Sequence, residues 1–240
     1  FVGVGWYRTE FDVPQFQAGK RATILFDGAM SHANVYINGQ KVGYWPYGYN
    51  SFHFDITKYL KPGEKNTLAV RLENLPESSR WYPGAGLYRN VHLIITEDAY
   101  IPVWGTYITT PSVNEKFAKV NVRTKVVLPE GADPAKYSVE TSVWNPNKQK
   151  LTAVRTSLAQ MKYNNNQAEQ EFVIQAPSLW SPEMPALYSA ETRLYEGDKL
   201  KDIYTTPFGI RSIEIIPDKG FFLNGKRTVF KGVCNHHDLG

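Results

Sequence analysis

A single cysteine, Cys234, is all the sulfur chemistry this 240-residue sequence offers beyond three methionines, so no internal disulfide can form and the redox compartment stays open. No apolar stretch approaches the roughly 18 to 20 residues that a membrane-spanning helix needs. The opening FVGVGWYRTEF has no targeting segment, because it lacks the basic-then-apolar order of a signal peptide. The chain starts on Phe1 inside what reads as a strand, which leaves room for a removed leader and a periplasmic or secreted location. The net charge of +4 is spread along the chain, with no run of Lys or Arg that could follow a phosphate backbone. No nucleic acid and no membrane is therefore expected as a partner. Also missing is any convincing amphipathic helix.

What is present is strand. Short β-branched or aromatic runs such as RATILFDG, ANVYINGQKVG and NTLAVRLEN are bounded by Asn, Gly, Pro and Asp. Asn38-Gly39 sits between two alternating runs and predicts a tight hairpin, since both residues tolerate positive φ. Pro62-Gly63 predicts a turn before the next strand, and FDITKYLKPG allows one short helical turn ahead of it. After Ile95 the segment TEDAYIPVWG changes the punctuation and places a domain boundary near Tyr100. From there, strand-like runs arrive at even spacing and suit a sandwich of about seven strands. Past Arg211 a second Asn-Gly pair, Asn224-Gly225, precedes an apolar run and the closing GVCNHHDLG.

Three stretches carry chemistry. Ser78 to Val91 crowds Arg80, Trp81, Tyr82, Tyr88 and Arg89 around Pro83, Gly84 and Gly86. Sugars call for this pairing, because a ring covers the apolar C–H side of a pyranose while planar donors fix its hydroxyls. The same residues also suit a core in which Trp81 and Tyr82 pack and Arg89 joins an ion pair. Tyr44, Trp45, Tyr47 and Tyr49 around Pro46 and Gly48 make either a ligand platform or a packing hinge. In the closing stretch, an extended strand puts Cys234 and His236 on one side and Asn235 and His237 on the other. Four ligands cannot converge on one ion from such a strand, so neither a metal nor another cofactor is expected. Polar residues after an apolar strand fit better the rim of a β/α barrel. His32, His53 and His92 read as structural.

The landmarks WYRTEFDVP, FDGAMSHANVYINGQKVGYWPYGYNSFHFDIT, SRWYPGAGLYRNV, LWSPEMPALY, FGIRSIE and FFLNGKRTVFKGVCNHHDLG, in this order, resemble glycoside hydrolase family 2 in its β-galactosidase branch. The resemblance implies an all-β chain. Residues 1–99 would form a jelly-roll, galactose-binding-like β-sandwich short of its first strands, and residues 100–211 an immunoglobulin-like β-sandwich. Residues 212–240 would open a truncated (β/α)8 barrel. It further implies the amino-terminal piece of a retaining exo-glycosidase acting on terminal β-galactosides. That piece would be inactive alone, because no motif here matches those carrying the two catalytic glutamates. Arg80, His236, His237 and Asp238 are the substrate-binding residues it implies. CNHHD departs from the version richer in histidine and glutamate, and this argues against a metal role. A carbohydrate is the expected partner, and a homo-oligomer stays open. The other readings are a non-catalytic carbohydrate-binding or scaffold module, and a β-glucuronidase or β-mannosidase parent.

Overall fold

The structure, a computed structural model, describes residues 2–15, 19–77, 84–159 and 167–234. Its architecture is all-β, and the chain divides into two compact units, one built on residues 1–97 and the other on 98–231.

Among the described residues the first unit has seven strands: β1 (Gly3–Asp12), β2 (Arg21–Phe26), β3 (Ala33–Ile37), β4 (Gln40–Trp45), β5 (Phe52–Asp55), β6 (Lys65–Asn74) and β7 (Val91–Thr96). They form two antiparallel sheets, in the orders β1-β6-β3-β4 and β5-β2-β7. The alternation of KNTLAVRLEN explains the larger sheet, since Asn66, Leu68, Val70, Leu72 and Asn74 face inward and the residues between them face out. Ile24 and Phe26 of the smaller sheet meet Val35, Ile37 and Val70 of the larger in one core. The Asn38-Gly39 hairpin forms as the sequence predicts, with φ of 51° and 80°. Thr57–Tyr59 is the short helical turn, here a 3-10 turn.

At that end of the sandwich, Asn66 is 1 % exposed. Its Oδ1 accepts from Lys61 N–H and Asn38 Nδ2, both at 2.8 Å, and its Nδ2 donates to the Lys61 and Glu64 carbonyls, both at 2.9 Å. Asn38 Oδ1 in turn accepts from Thr67 N–H at 2.9 Å. Two amides thereby satisfy the loop backbone that the hairpin and the Pro62-Gly63 turn bring together.

In the second unit β8 (Thr106–Val113), β9 (Phe117–Lys125), β10 (Tyr137–Trp144), β11 (Lys150–Ser157), β12 (Gln167–Gln175), β13 (Tyr188–Glu196) and β14 (Lys199–Phe208) make sheets ordered β11-β10-β13-β14 and β12-β9-β8. Its interior falls into two apolar clusters. Buried polar residues explain the division, because Thr124, Thr141, Gln170 and Thr192 lie along β9, β10, β12 and β13 between the residues of one cluster and those of the other. Thr141 and Thr192, opposite one another, share a hydrogen bond of 3.1 Å between their hydroxyls. Gln170 Nε2 crosses to the other sheet and reaches the Val154 carbonyl at 2.8 Å.

A further small sheet, β15 (Ile213–Ile216), β16 (Gly220–Leu223) and β17 (Lys226–Arg227), turns at Asn224-Gly225 as the dipeptide predicts. Asn224 ties it down: its Oδ1 accepts from Ser212 N–H and its Nδ2 donates to the Trp180 carbonyl, each at 3.0 Å. Ile215 and Phe230 nevertheless stay 77 % and 73 % exposed.

Asp202 fixes the entry to this second unit. Its carboxylate accepts from Ile101 N–H at 2.8 Å and Ile203 N–H at 2.9 Å, and burial raises its pKa above the usual carboxylate value. A raised folded pKa means that the unfolded chain gives up its proton first, so this group's contribution is full at low pH and falls as pH rises above about 4. Asp202→Ala is expected to cost about 1–3 kcal/mol by orphaning the buried Ile101 N–H. Urea titrations of both proteins from pH 4 to 7 check this, and the gap between them should narrow as pH rises.

Candidate functional site

The four residues singled out as substrate-binding, Arg80, His236, His237 and Asp238, lie outside the described residues, as do Trp81 and Tyr82. The structure does describe the residues on either side of 78–83 in the chain and the loops they meet. Three connections meet at the end of the first sandwich opposite Asn66: residues 27–32 after β2, 46–51 after β4, and the 84–90 part of the link from β6 to β7.

Backbone pairing joins them. Met30 and Gly86 exchange both N–H···O bonds, at 3.0 and 3.1 Å, and Asp27 N–H donates to the Asn90 carbonyl at 3.0 Å. Gly86 has a φ of +121°, and a Cβ there would approach Tyr7 Oη to 2.5 Å. Gly48 is needed for space, since a Cβ would collide with Met30 Sδ. The third connection closes on the second through Tyr88 Oη, which donates to the Gly48 carbonyl at 2.8 Å.

The aromatic residues of this rim divide by role. Trp45 turns inward, stacked on Phe52 with centroids 5.6 Å apart, and its Nε1 donates to Asn50 Oδ1 at 3.0 Å. It shapes the loop. Tyr47 and Tyr49 meet edge to face at 5.6 Å and stay 56 % and 42 % exposed. Tyr88 is 45 % exposed and lies under the Arg89 guanidinium, 5.0 Å from the ring centroid. Arg89 was expected in an ion pair; instead it donates to the Asp27 main-chain carbonyl at 3.2 Å. The Asp27 carboxylate is taken by His92 Nε2 at 3.0 Å. Sequence reasoning passed over the Asp27–His92 pair, because its members are 65 residues apart and meet only once β2 pairs with β7.

Ring faces, hydroxyls and a guanidinium hold ligands rather than break bonds. No group of three or more His, Cys, Asp or Glu able to bind a metal occurs among the described residues. Cys234 is exposed. In the second unit, a cleft of ≈ 560 Å³ between Asn145, Leu151, Met184 and Tyr188 has no ionisable acid or base other than Tyr188 in its lining.

The family model described as "Glycosyl hydrolases family 2, sugar binding domain" matches residues 1–97, and "Glycosyl hydrolases family 2" matches residues 100–211. β-Galactosidase BoGH2A of Bacteroides ovatus is 42 % identical over 239 residues, covering 99 % of this chain and 28 % of that protein. A β-glucuronidase of Bacteroides fragilis is 34 % identical over 249 residues, with 98 % and 35 % covered. Among solved structures, a glycosyl hydrolase family 2 member from Bacteroides cellulosilyticus superposes with a TM-score of 0.89 at 35 % identity, covering 99 % of this chain and 33 % of that one. The chain belongs to glycosyl hydrolase family 2, and it spans about a third or less of the length of these relatives.

Proposed function

We propose that residues 1–240 are the amino-terminal frame of a retaining exo-glycosidase that releases terminal β-galactosyl residues. The observation that carries this reading is the 42 % identity with a β-galactosidase over 99 % of the chain. In this reading residues 1–99 are a jelly-roll sandwich, 100–211 an immunoglobulin-like sandwich, and 212–240 the opening of a (β/α)8 barrel. The exposed Ile215 and Phe230 support the last assignment, as apolar surface on which further barrel elements would pack.

The chemistry would come from two carboxyl groups about 5 Å apart, one protonating the leaving oxygen and the other attacking the anomeric carbon. Neither is assigned to this chain. Its own task is positioning: the joined loops at 27–32, 46–51 and 84–90 set the base of the loop bearing Arg80, which would hydrogen-bond the terminal sugar. His236, His237 and Asp238 would line the other side of the cavity from the first barrel strand. A β-glucuronidase parent is the second reading, favoured by the B. fragilis relative.

Expressing the whole reading frame that encodes these residues, and assaying aryl β-galactosides beside aryl β-glucuronides, tests both. Galactoside hydrolysis in excess by at least about tenfold is expected. A glucuronide preference replaces the first reading with the second, and hydrolysis of neither removes both. Residues 1–240 alone should show no turnover.

A further inference from the structure

The outward face of the sheet β1-β6-β3-β4 adjoins the rim at Tyr44, which meets His32, and at Glu73, whose N–H donates to the Ser31 carbonyl, but it takes no part in the proposed function. Strand register places Trp6 opposite Arg71, Arg71 opposite Asn34, and Asn34 opposite Tyr44. Directly paired residues point to the same side, and Leu72, Val70 and Val35 on either side of this row are buried, so the row itself faces out. It runs across three strand spacings, about 14 Å.

The next row holds Arg8, Ala69, Tyr36 and Lys41. Ala69 puts only a methyl group between Arg8 and Tyr36, and the Trp6 ring lies 5.6 Å from that of Tyr36, tilted by 38°. Trp6 is nevertheless 60 % exposed, and Tyr44 46 %. Between the rings, Arg71 Nη1 is held by Glu73 Oε2 at 3.0 Å, two residues along on the same face. Tyr44 Oη is fixed by His32 Nδ1 at 2.6 Å.

A face meant only for water has no use for an exposed indole packed against a tyrosine, and a plain apolar contact would not place a guanidinium–carboxylate pair at its centre. Aromatic faces alternating with fixed planar hydrogen-bonding groups suit pyranose rings, which present C–H faces and equatorial hydroxyls. We propose that this face is a second, non-catalytic carbohydrate site that binds a β-linked oligosaccharide along the row Trp6–Arg71–Asn34–Tyr44. The proposal rests on the unit's match to a sugar-binding domain and on this geometry. It is independent of the sugar cleaved.

Titration calorimetry and tryptophan fluorescence on the 240-residue chain test it, with β-1,4-linked pentasaccharides of galactose, glucose and xylose as probes. At least one should bind, and Trp6→Ala should weaken it about tenfold or more, consistent with the loss of one stacked ring. Tyr44→Ala, at an edge strand where refolding is least at risk, should weaken it several-fold with an unchanged far-ultraviolet spectrum. Tyr107→Ala, which removes an exposed ring from the second unit, should leave it unchanged. Failure of all three sugars to bind overturns the proposal, as does binding that both Trp6→Ala and Tyr44→Ala leave intact. Concentration-dependent dimerisation abolished by Trp6→Ala, without sugar binding, would make the face a protein contact and overturn it equally. Hydrolysis by the whole protein is not read in any arm, so this inference and the proposed function fail separately.

Discussion

Asn66→Asp is expected to destabilise the first unit by about 3–5 kcal/mol at pH 7, although it alters almost no volume. The amide uses all four of its hydrogen-bonding positions, two as acceptor and two as donor. An aspartate keeps the acceptors, but it turns an oxygen toward the Lys61 and Glu64 carbonyls and places a charge at a site that is 1 % exposed. Burial and those carbonyls favour the neutral form, so the new carboxyl would have a raised pKa in the fold. The sign follows: its cost is smallest where folded and unfolded chains are both protonated, and it grows as pH rises above about 4. Calorimetry of a unit this size should show a fall of roughly 15 °C in its transition at pH 7. A smaller fall is expected at pH 4. A variant that melts within a degree or two of the native chain at pH 7 would show that these bonds do not hold the loops.

Local signals carried most of the strand reading. Asn38-Gly39 and Asn224-Gly225 announced their hairpins because the backbone conformation they favour is set within two residues. The alternation in KNTLAVRLEN and FAKVNVRTK marked which side of each strand is buried, for the same reason of short range. The division of the second core was not legible. Thr124, Thr141, Gln170 and Thr192 read individually as ordinary strand polar residues, and only strand pairing sets Thr141 opposite Thr192 and brings Thr124 and Gln170 within two residues of register on neighbouring strands.

The rim was legible in composition and not in roles. Trp45 and Tyr47 are two residues apart and look alike on paper, yet one packs inward on Phe52 and the other faces solvent. Arg89 suggested an acidic partner, whereas the carbonyl of Asp27 takes its guanidinium and the carboxylate goes to His92. The Arg89 and His92 choices depend on contacts between residues more than sixty positions apart. Trp6 and Tyr36, thirty residues apart, gave no hint of a shared face, because the strand that joins their registers, β6, comes later than both.

Phe52→Ala is the second substitution with a large expected effect, and it tests whether the rim depends on the core beneath it. Phe52 is 2 % exposed and touches three rings: Phe26 at 4.8 Å, Trp45 at 5.6 Å and Phe54 at 5.7 Å between centroids. Phe26 ends β2, Trp45 ends β4 and Phe52 begins β5, so this stack stands where the first two rim loops leave the sandwich. Truncation to alanine removes about 3–5 kcal/mol through lost transfer energy and the cavity left behind. The loss should not be spread evenly. Without its platform Trp45 loses the position from which Nε1 reaches Asn50, and amides of residues 46–51 should exchange faster than the global loss of stability explains. Hydrogen exchange followed by mass spectrometry, with Leu68→Ala as a core control remote from the rim, separates the two effects. The control should accelerate exchange across the whole unit, and Phe52→Ala should add a local excess at 46–51 and at Gly86–Asn90, which is tied to that loop through Tyr88 and Gly48. Equal profiles for the two variants would show the loops to be set by their own backbone pairing, and the aromatic stack to supply stability alone.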